Sequence, residues 1–191
     1  MKTLSYSTIS TAVILGLAGL SGLASISAHA DVLEVIEVTA QKRTQSVQEV
    51  GISITAFSGE QIDALGYDNA QEVTAMAPGV TAIQPNGPSA FYINIRGVAQ
   101  NDFSGDHQES PVAVYLDEAY ISASSGAGFQ LFDIERVEIL KGPQGTLFGR
   151  NATGGLVHYI SRKPTDTFEG YGKLTLGSYN QVLTEGAVGG A

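Results

Sequence analysis

An α+β fold is predicted: a small β-sheet with short helices and long glycine-rich connections, ending in one β-hairpin. Three observations lead there: several segments of period-two hydrophobicity, two closely spaced helix-start signals, and connections that hold many of the 23 glycines. The 191 residues suffice for about one domain, and 43% hydrophobic content suits a packed chain. A net charge of −9, with ten scattered basic side chains, argues against a nucleic-acid partner. The absence of cysteine removes disulfides and thiolate zinc sites from consideration.

Residues 1–30 read as a secretory signal peptide: Lys2, an apolar stretch from Ile9 to Leu23, and an Ala28-His29-Ala30 cleavage site. A membrane anchor is the competing reading, but the strongly apolar part, Ala12 to Leu20, is short and flanked by serines. No other stretch is apolar enough to span a bilayer as a helix, so membrane contact elsewhere requires β-structure.

Residues 31–45 form an arm and linker. Val32, Leu33, Val35, Ile36 and Val38 are interleaved with Glu34, Glu37 and Thr39, and a polar run follows. Such an arm is expected to be exposed, and able to join a partner's sheet as an edge strand. Ile52, Ile54 and Ala56 then alternate with Ser53 and Thr55, leading to Ser58 and Gln61, spaced as a capping box, and a helix that ends at Leu65 before Gly66. Asp68 with Gln71 repeats the start signal for a helix carrying Val73 and Met76, closed by Pro78-Gly79.

Period two returns with Phe91, Ile93 and Ile95 opposite Tyr92, Asn94 and Arg96, and strands are predicted at Val112–Leu116, Arg136–Leu140 and Leu156–Ile160. Between them lie the long connections Gln100–Ser110, Ser122–Gly128 and Gly142–Gly155, a length typical of functional loops. Gly142-Pro143 must turn the chain, and Gly145, Gly149, Gly154 and Gly155 are expected to allow positive φ or close backbone approach. A phosphate-cradling loop is disfavoured, because the G-x-x-x-x-G-K-[ST] arrangement is missing. His158 alternates within its strand as a packed or surface histidine. Gly172, Leu174 and Leu176 oppose Tyr171, Lys173 and Thr175, then Ser178–Asn180 turns the chain into a returning strand, Val182–Gly189. That hairpin is long enough to begin a membrane barrel, and the residues alone equally allow a surface hairpin.

The stretch from Arg136 to Gly155, RVEILKGPQGTLFGRNATGG, resembles the plug-domain signature of TonB-dependent receptors almost letter for letter. Ile95-Arg96-Gly97 and Val112–Asp117 are similar to plug strands in their expected order, and Glu34–Arg43 resembles the segment at and after the TonB box. The resemblance implies a small mixed-sheet plug at residues 46–165 and the first strands of a truncated barrel at 166–191. It marks Gly97, Asp117, Glu138, Gly142, Pro143, Gly149, Arg150, Gly154 and Gly155 as signature positions. It implies contact of Glu34, Val35, Ile36, Glu37, Val38 and Thr39 with the C-terminal domain of TonB, and pairing of Arg96 and Lys141 with glutamates of a barrel wall. One departure is Gly51, where many relatives carry proline, which leaves the approach to the next strand less rigid.

In the Gln100–Ser110 loop, Asp102, Asp106, His107 and Glu109 offer donors for a metal chelate or polar nutrient, although their spacing fits neither an EF-hand nor H-E-x-x-H. Solvated loop charge is the plainer account. The function implied by the resemblance is energy-coupled uptake of a bulky nutrient such as an iron chelate at the outer membrane, with no cofactor and no covalent chemistry. The alternative is a soluble periplasmic module that binds TonB or a ligand without transport. A 22-stranded barrel needs on the order of 220 residues, so this chain is expected to be a fragment or truncated frame that cannot act as a channel by itself.

Overall fold

The computed structural model describes residues 36–190 apart from 86, 88–90, 101–108, 124 and 125. The signal peptide, the arm residues Glu34 and Val35, and the loop residues Asp102, Asp106 and His107 lie outside the described residues. In chain order the elements are β1 (Glu37–Val38), β2 (Gln45–Ser46), β3 (Ser53–Ser58), α1 (Gly59–Leu65), α2 (Ala70–Ala75), β4 (Val80–Ile83) and β5 (Tyr92–Ile95). There follow β6 (Val112–Leu116), β7 (Ala119–Ile121), β8 (Ile134–Lys141), α3 (Gly145–Phe148), β9 (Gly155–Ser161), β10 (Glu169–Leu176) and β11 (Val182–Gly189).

The predicted α+β architecture is present. Five strands make the central sheet in the order β3-β8-β9-β6-β7, while β1-β2, β4-β5 and β10-β11 are two-stranded ribbons. The sheet is mixed because β6 and β9 run parallel, whereas its other neighbours are antiparallel. The long connection between β6 and β9, which itself contributes β8, makes that parallel pair possible.

Local chemistry sets the helix starts. Ser58 and Gln61 form the predicted capping box, each side chain accepting the other's backbone N–H at 3.3 Å. The second helix starts one residue later than expected: Asn69, not Asp68, accepts the Glu72 N–H, at 3.0 Å. The Asp68 carbonyl already accepts from the Leu131 N–H at 2.8 Å, which holds that residue in the preceding loop. Met76 stands at the C-cap and is exposed, beyond the helix it was expected to share with Val73. The short elements β2, β4, β7 and α3 have no counterpart in the sequence reading.

Alternation along the central strands gives the sheet two buried faces. Val137 and Ile139 of β8, Val157 and Tyr159 of β9, and Val112 and Val114 of β6 face the helices and the β4-β5 ribbon, against Ile62, Val73, Phe91, Ile93 and Ile95. Leu140, Leu156 and Ala113 face the other way, under Phe148, Ala152, Val38 and Ala40. The arm is therefore part of the fold. Val38 is 0% and Ala40 1% exposed, which corrects the expectation of an exposed arm at these positions.

Tyr159 anchors the helix side. Its hydroxyl lies 2.6 Å from Thr74 Oγ1 and 3.0 Å from the Ala70 carbonyl oxygen, and the Phe129 ring meets it edge-on at 4.9 Å. Burial raises the Tyr159 phenol well above its ordinary range, against a smaller opposing effect of the Thr74 hydrogen bond. A raised acid stabilises the fold below its unfolded pKa of about 10, and that contribution is lost as pH rises further. Denaturation at pH 8 and pH 11 is expected to show a steep loss of stability in the native chain and a shallower one in Tyr159→Phe. Equal losses would show that this phenol does not govern alkaline unfolding.

The terminal ribbon has two different faces. Tyr171, Lys173 and Glu185 point inward, with Lys173 Nζ 2.6 Å from Asp63 Oδ1 and the Tyr171 hydroxyl donating to Glu185 Oε1 at 2.8 Å. Leu174, Leu176 and Val188 are turned outward and exposed. The alternation is the one read from the sequence, and the structure adds that its apolar face is the exposed one.

Candidate functional site

The arm is held by one buried carboxylate. Glu138 is 0% exposed, and its Oε1 accepts from the Thr39 N–H at 2.7 Å, the Thr39 hydroxyl at 3.3 Å and Arg136 Nε at 2.9 Å. Arg136 Nη2 reaches Thr39 Oγ1 at 3.2 Å, and Arg136 also pairs with Glu135. Arg136 and Glu138 stand two apart on a strand and share a face, so β8 presents a ready-made ion pair to the arm. Beyond it, Glu37 and Val38 pair with Ser46 and Gln45, and Ile36 accepts from the Val47 N–H at 3.0 Å. Lys42 closes the arm on the far side, with Nζ 2.6 Å from Glu118 and 4.9 Å from the Phe148 ring centroid. The Lys42 hydrogen bond lowers the Glu118 pKa, but this exposed pair contributes only about 0–1 kcal/mol.

A second constellation joins two basic residues of the family motifs. Arg96 and Gly97 both have positive φ, 54° and 85°, and Ile95 and Val98 exchange backbone hydrogen bonds across them at 3.0 and 3.1 Å. This tight turn suits the glycine and holds the arginine in a conformation that costs roughly 1–2 kcal/mol. The turn aims the Arg96 guanidinium at Ser53 Oγ, 2.7 Å, and at the Lys141 carbonyl oxygen, 3.4 Å. Lys141 Nζ donates to the Pro78 carbonyl at 3.1 Å. Partial burial and then the Arg96 charge push the Lys141 ammonium down. Among the described residues no carboxylate forms an ion pair with either.

The signature loop closes on its own backbone: the Gly142 N–H donates to Gly154 at 3.0 Å and the Gln144 N–H to Ala152 at 2.8 Å. Between them α3 lowers Phe148 into the second core, where the Phe148 carbonyl accepts from the Tyr115 hydroxyl at 2.7 Å. Gly145 departs from expectation, since it has ordinary φ and open space around it; it simply opens the helix. Asp117 is a brace, its carboxylate accepting from the Ser161 N–H at 2.9 Å and hydroxyl at 3.0 Å. Arg150 is exposed and pairs with Glu109 at 3.0 Å. Among the described residues no cluster of three or more His, Asp or Glu side chains is placed to hold a metal ion.

The sequence reading did not single out Arg136, Lys42 or Glu118, and it left His158 as a packed or surface histidine. The i, i+2 spacing of Arg136 and Glu138 was the available signal. Thr39 sits 99 residues from Glu138 in the chain, and no local pattern announces that contact.

A small mixed sheet, sealed on one face by helices and on the other by its own N-terminal arm and a glycine-rich loop, is the architecture of a plug domain. The family model described as the TonB-dependent Receptor Plug Domain matches residues 46–156, more than half of the chain. The chain belongs to that family. The pesticin receptor of Yersinia enterocolitica is 31% identical over 138 residues, 71% of this chain and 20% of that protein. The iron-regulated outer membrane virulence protein of Vibrio cholerae is 30% identical over 185 residues, 92% of this chain and 27% of that protein. Among solved structures, the ferric yersiniabactin uptake receptor FyuA from Yersinia pestis superposes with a TM-score of 0.62 at 27% identity, over 70% of this chain and 20% of FyuA. The chain thus spans about a fifth of the pesticin receptor's length. Two of these relatives are named receptors and the third an outer membrane protein, and the chain belongs with them at the bacterial outer membrane.

Proposed function

We propose that this chain is the gating plug of a receptor that takes up a bulky ferric chelate, with energy delivered through the arm. The observation that carries the reading is the arm's attachment: a strand of only two paired residues, separate from the central sheet and held by a few side chains. A segment that pairs outside the central sheet can leave without unzipping it and add itself to a partner's sheet, with main-chain hydrogen bonds supplying affinity. The partner proposed is the C-terminal domain of TonB, and the strand is Glu34 to Thr39. The ferric chelate follows from the relatives' names, among them the ferripyoverdine receptor of Pseudomonas aeruginosa. Arg96 and Lys141 support the plug reading, because two adjacent cations at one end of the sheet suit carboxylates on an enclosing wall.

Binding of the purified TonB C-terminal domain to the complete receptor tests this. Val38→Pro removes a main-chain donor and fixes φ in the added strand, so affinity is expected to fall at least tenfold. Proline also loosens the docked arm, which by itself would favour capture, so a loss speaks for strand addition specifically. Unchanged affinity would exclude this arm as the coupling strand.

A further inference from the structure

Under the arm, β8 and β9 set Glu138 directly opposite His158 in antiparallel register. Both lie on the face of Leu140 and Leu156, and the His158 ring meets Tyr115 and Phe148 edge-on at 6.1 and 6.4 Å. Glu138 uses only Oε1, towards the arm and Arg136. His158 uses only Nε2, which donates to the Asp117 carbonyl oxygen, so the neutral ring leaves Nδ1 as a bare acceptor. The atoms left over, Glu138 Oε2 and His158 Nδ1, are both buried and have no hydrogen-bond partner. Two acceptors facing an apolar surround are unfavourable, and one proton on Nδ1 turns the second into a donor for the first.

We propose that Glu138 and His158 form a proton-responsive latch, in which proton uptake by His158 frees the arm strand that Glu138 holds through Thr39. The imidazolium N–H takes the vacant Oε2, drawing the carboxylate and its charge towards His158 and so weakening the bond that Oε1 makes to the Thr39 N–H. The charged neighbours of His158 divide in a way that sets the direction. Glu138 on β8, together with the Asp117 carbonyl and Glu118 in the turn after β6, favours the proton and stays in place whether or not the arm is docked. Lys42 opposes the proton and leaves with the arm, as does the part of the burial that the arm provides. Burial outweighs the others and lowers the His158 pKa in the docked state. A base whose pKa is lower with the arm docked than with it released stabilises docking at high pH, and docking weakens as pH falls through that interval, by at most tenfold per pH unit for one proton.

The latch deepens the coupling-arm reading, but its test uses no TonB. This chain has no cysteine, so a spin label at Glu37→Cys in the complete receptor, with any cysteine of the remaining receptor replaced by serine, reports on the arm alone. Between pH 8 and 5.5 the ratio of mobile to immobile label is expected to rise at least fivefold. His158→Asn should flatten that profile, with His158→Gln used if the asparagine variant does not fold, and Glu138→Gln should leave the label mobile at every pH. A flat profile in the unsubstituted receptor overturns the latch, as does an unchanged profile in the His158 variant or an immobile label in Glu138→Gln. These failures leave TonB capture by the arm untouched. Loss of that capture, conversely, leaves the latch standing.

Discussion

Gly155→Val is expected to prevent the plug from folding, whereas Gly145→Ala, ten residues earlier in the same signature, leaves it intact. Gly155 opens β9 and pairs with Val112 of β6 on one side and Lys141 of β8 on the other. A Cβ there would lie 2.2 Å from the Leu140 carbonyl oxygen and 2.9 Å from Ile95 Cδ1, and φ is +141°. The backbone oxygen cannot move without breaking the β8-β9 ladder, so overpacking and backbone strain act together. At about 1–3 kcal/mol each, with a branched side chain at the upper end, they total about 6 kcal/mol, enough to unfold a domain at the lower end of the roughly 5–15 kcal/mol range. At Gly145 nothing lies within 4 Å and φ is ordinary, and alanine is the better helix former. Thermal unfolding distinguishes the two. A Gly155→Val chain that melts within a few degrees of the unsubstituted one would show that the close approach is relieved by movement elsewhere.

That contrast also marks where the sequence could be read. The signature shows its glycines, but the letter alone does not say which are pinned by a neighbour 14 or more residues away and which merely begin a helix. Local signals were legible: the Ser58–Gln61 box lies within three residues, and the alternation of Phe91, Ile93 and Ile95 reports one buried face. β4 escaped because four residues after Pro78-Gly79 give too little periodicity to register. The arm was read correctly as β-prone and wrongly as free, since its burial depends on Leu140, Leu156 and Glu138, about a hundred residues away. His158 escaped for the same reason. A histidine alternating within a strand becomes noteworthy only when the register puts an unsatisfied glutamate oxygen opposite it.

The two faces of the sheet are independent in composition. The helix-side cluster contains no residue of the arm, so the arm can leave without opening that core. Opening of this kind is local unfolding, whose free energy lies below that of the whole domain where the two faces open separately. Pulling on the arm would therefore first expose Glu138, His158, Leu140 and Leu156. The central sheet would be strained only afterwards.

Val38→Asp should separate these two levels. Val38 is fully buried against the second core, and the substitution forfeits about 1.5–3 kcal/mol of burial. It also sets a carboxylate one residue from Thr39, whose N–H is bonded to Glu138, so the new charge is repelled or must leave for water. A combined penalty of about 3 kcal/mol raises the undocked population roughly a hundredfold. Trypsin reads that population directly, because Lys42 and Arg43 are the only cleavable residues between Ala30 and Arg96 and cutting tracks the open state when reclosing is fast. Cleavage at Lys42 and Arg43 is expected to accelerate by about two orders of magnitude, while the thermal transition of the helix-side core moves far less. Should both change together, the arm would be an integral part of one cooperative unit and could not be pulled free alone. Should neither change, the burial of Val38 would contribute nothing to holding the arm, and docking would rest on the Glu138–Thr39 contact by itself.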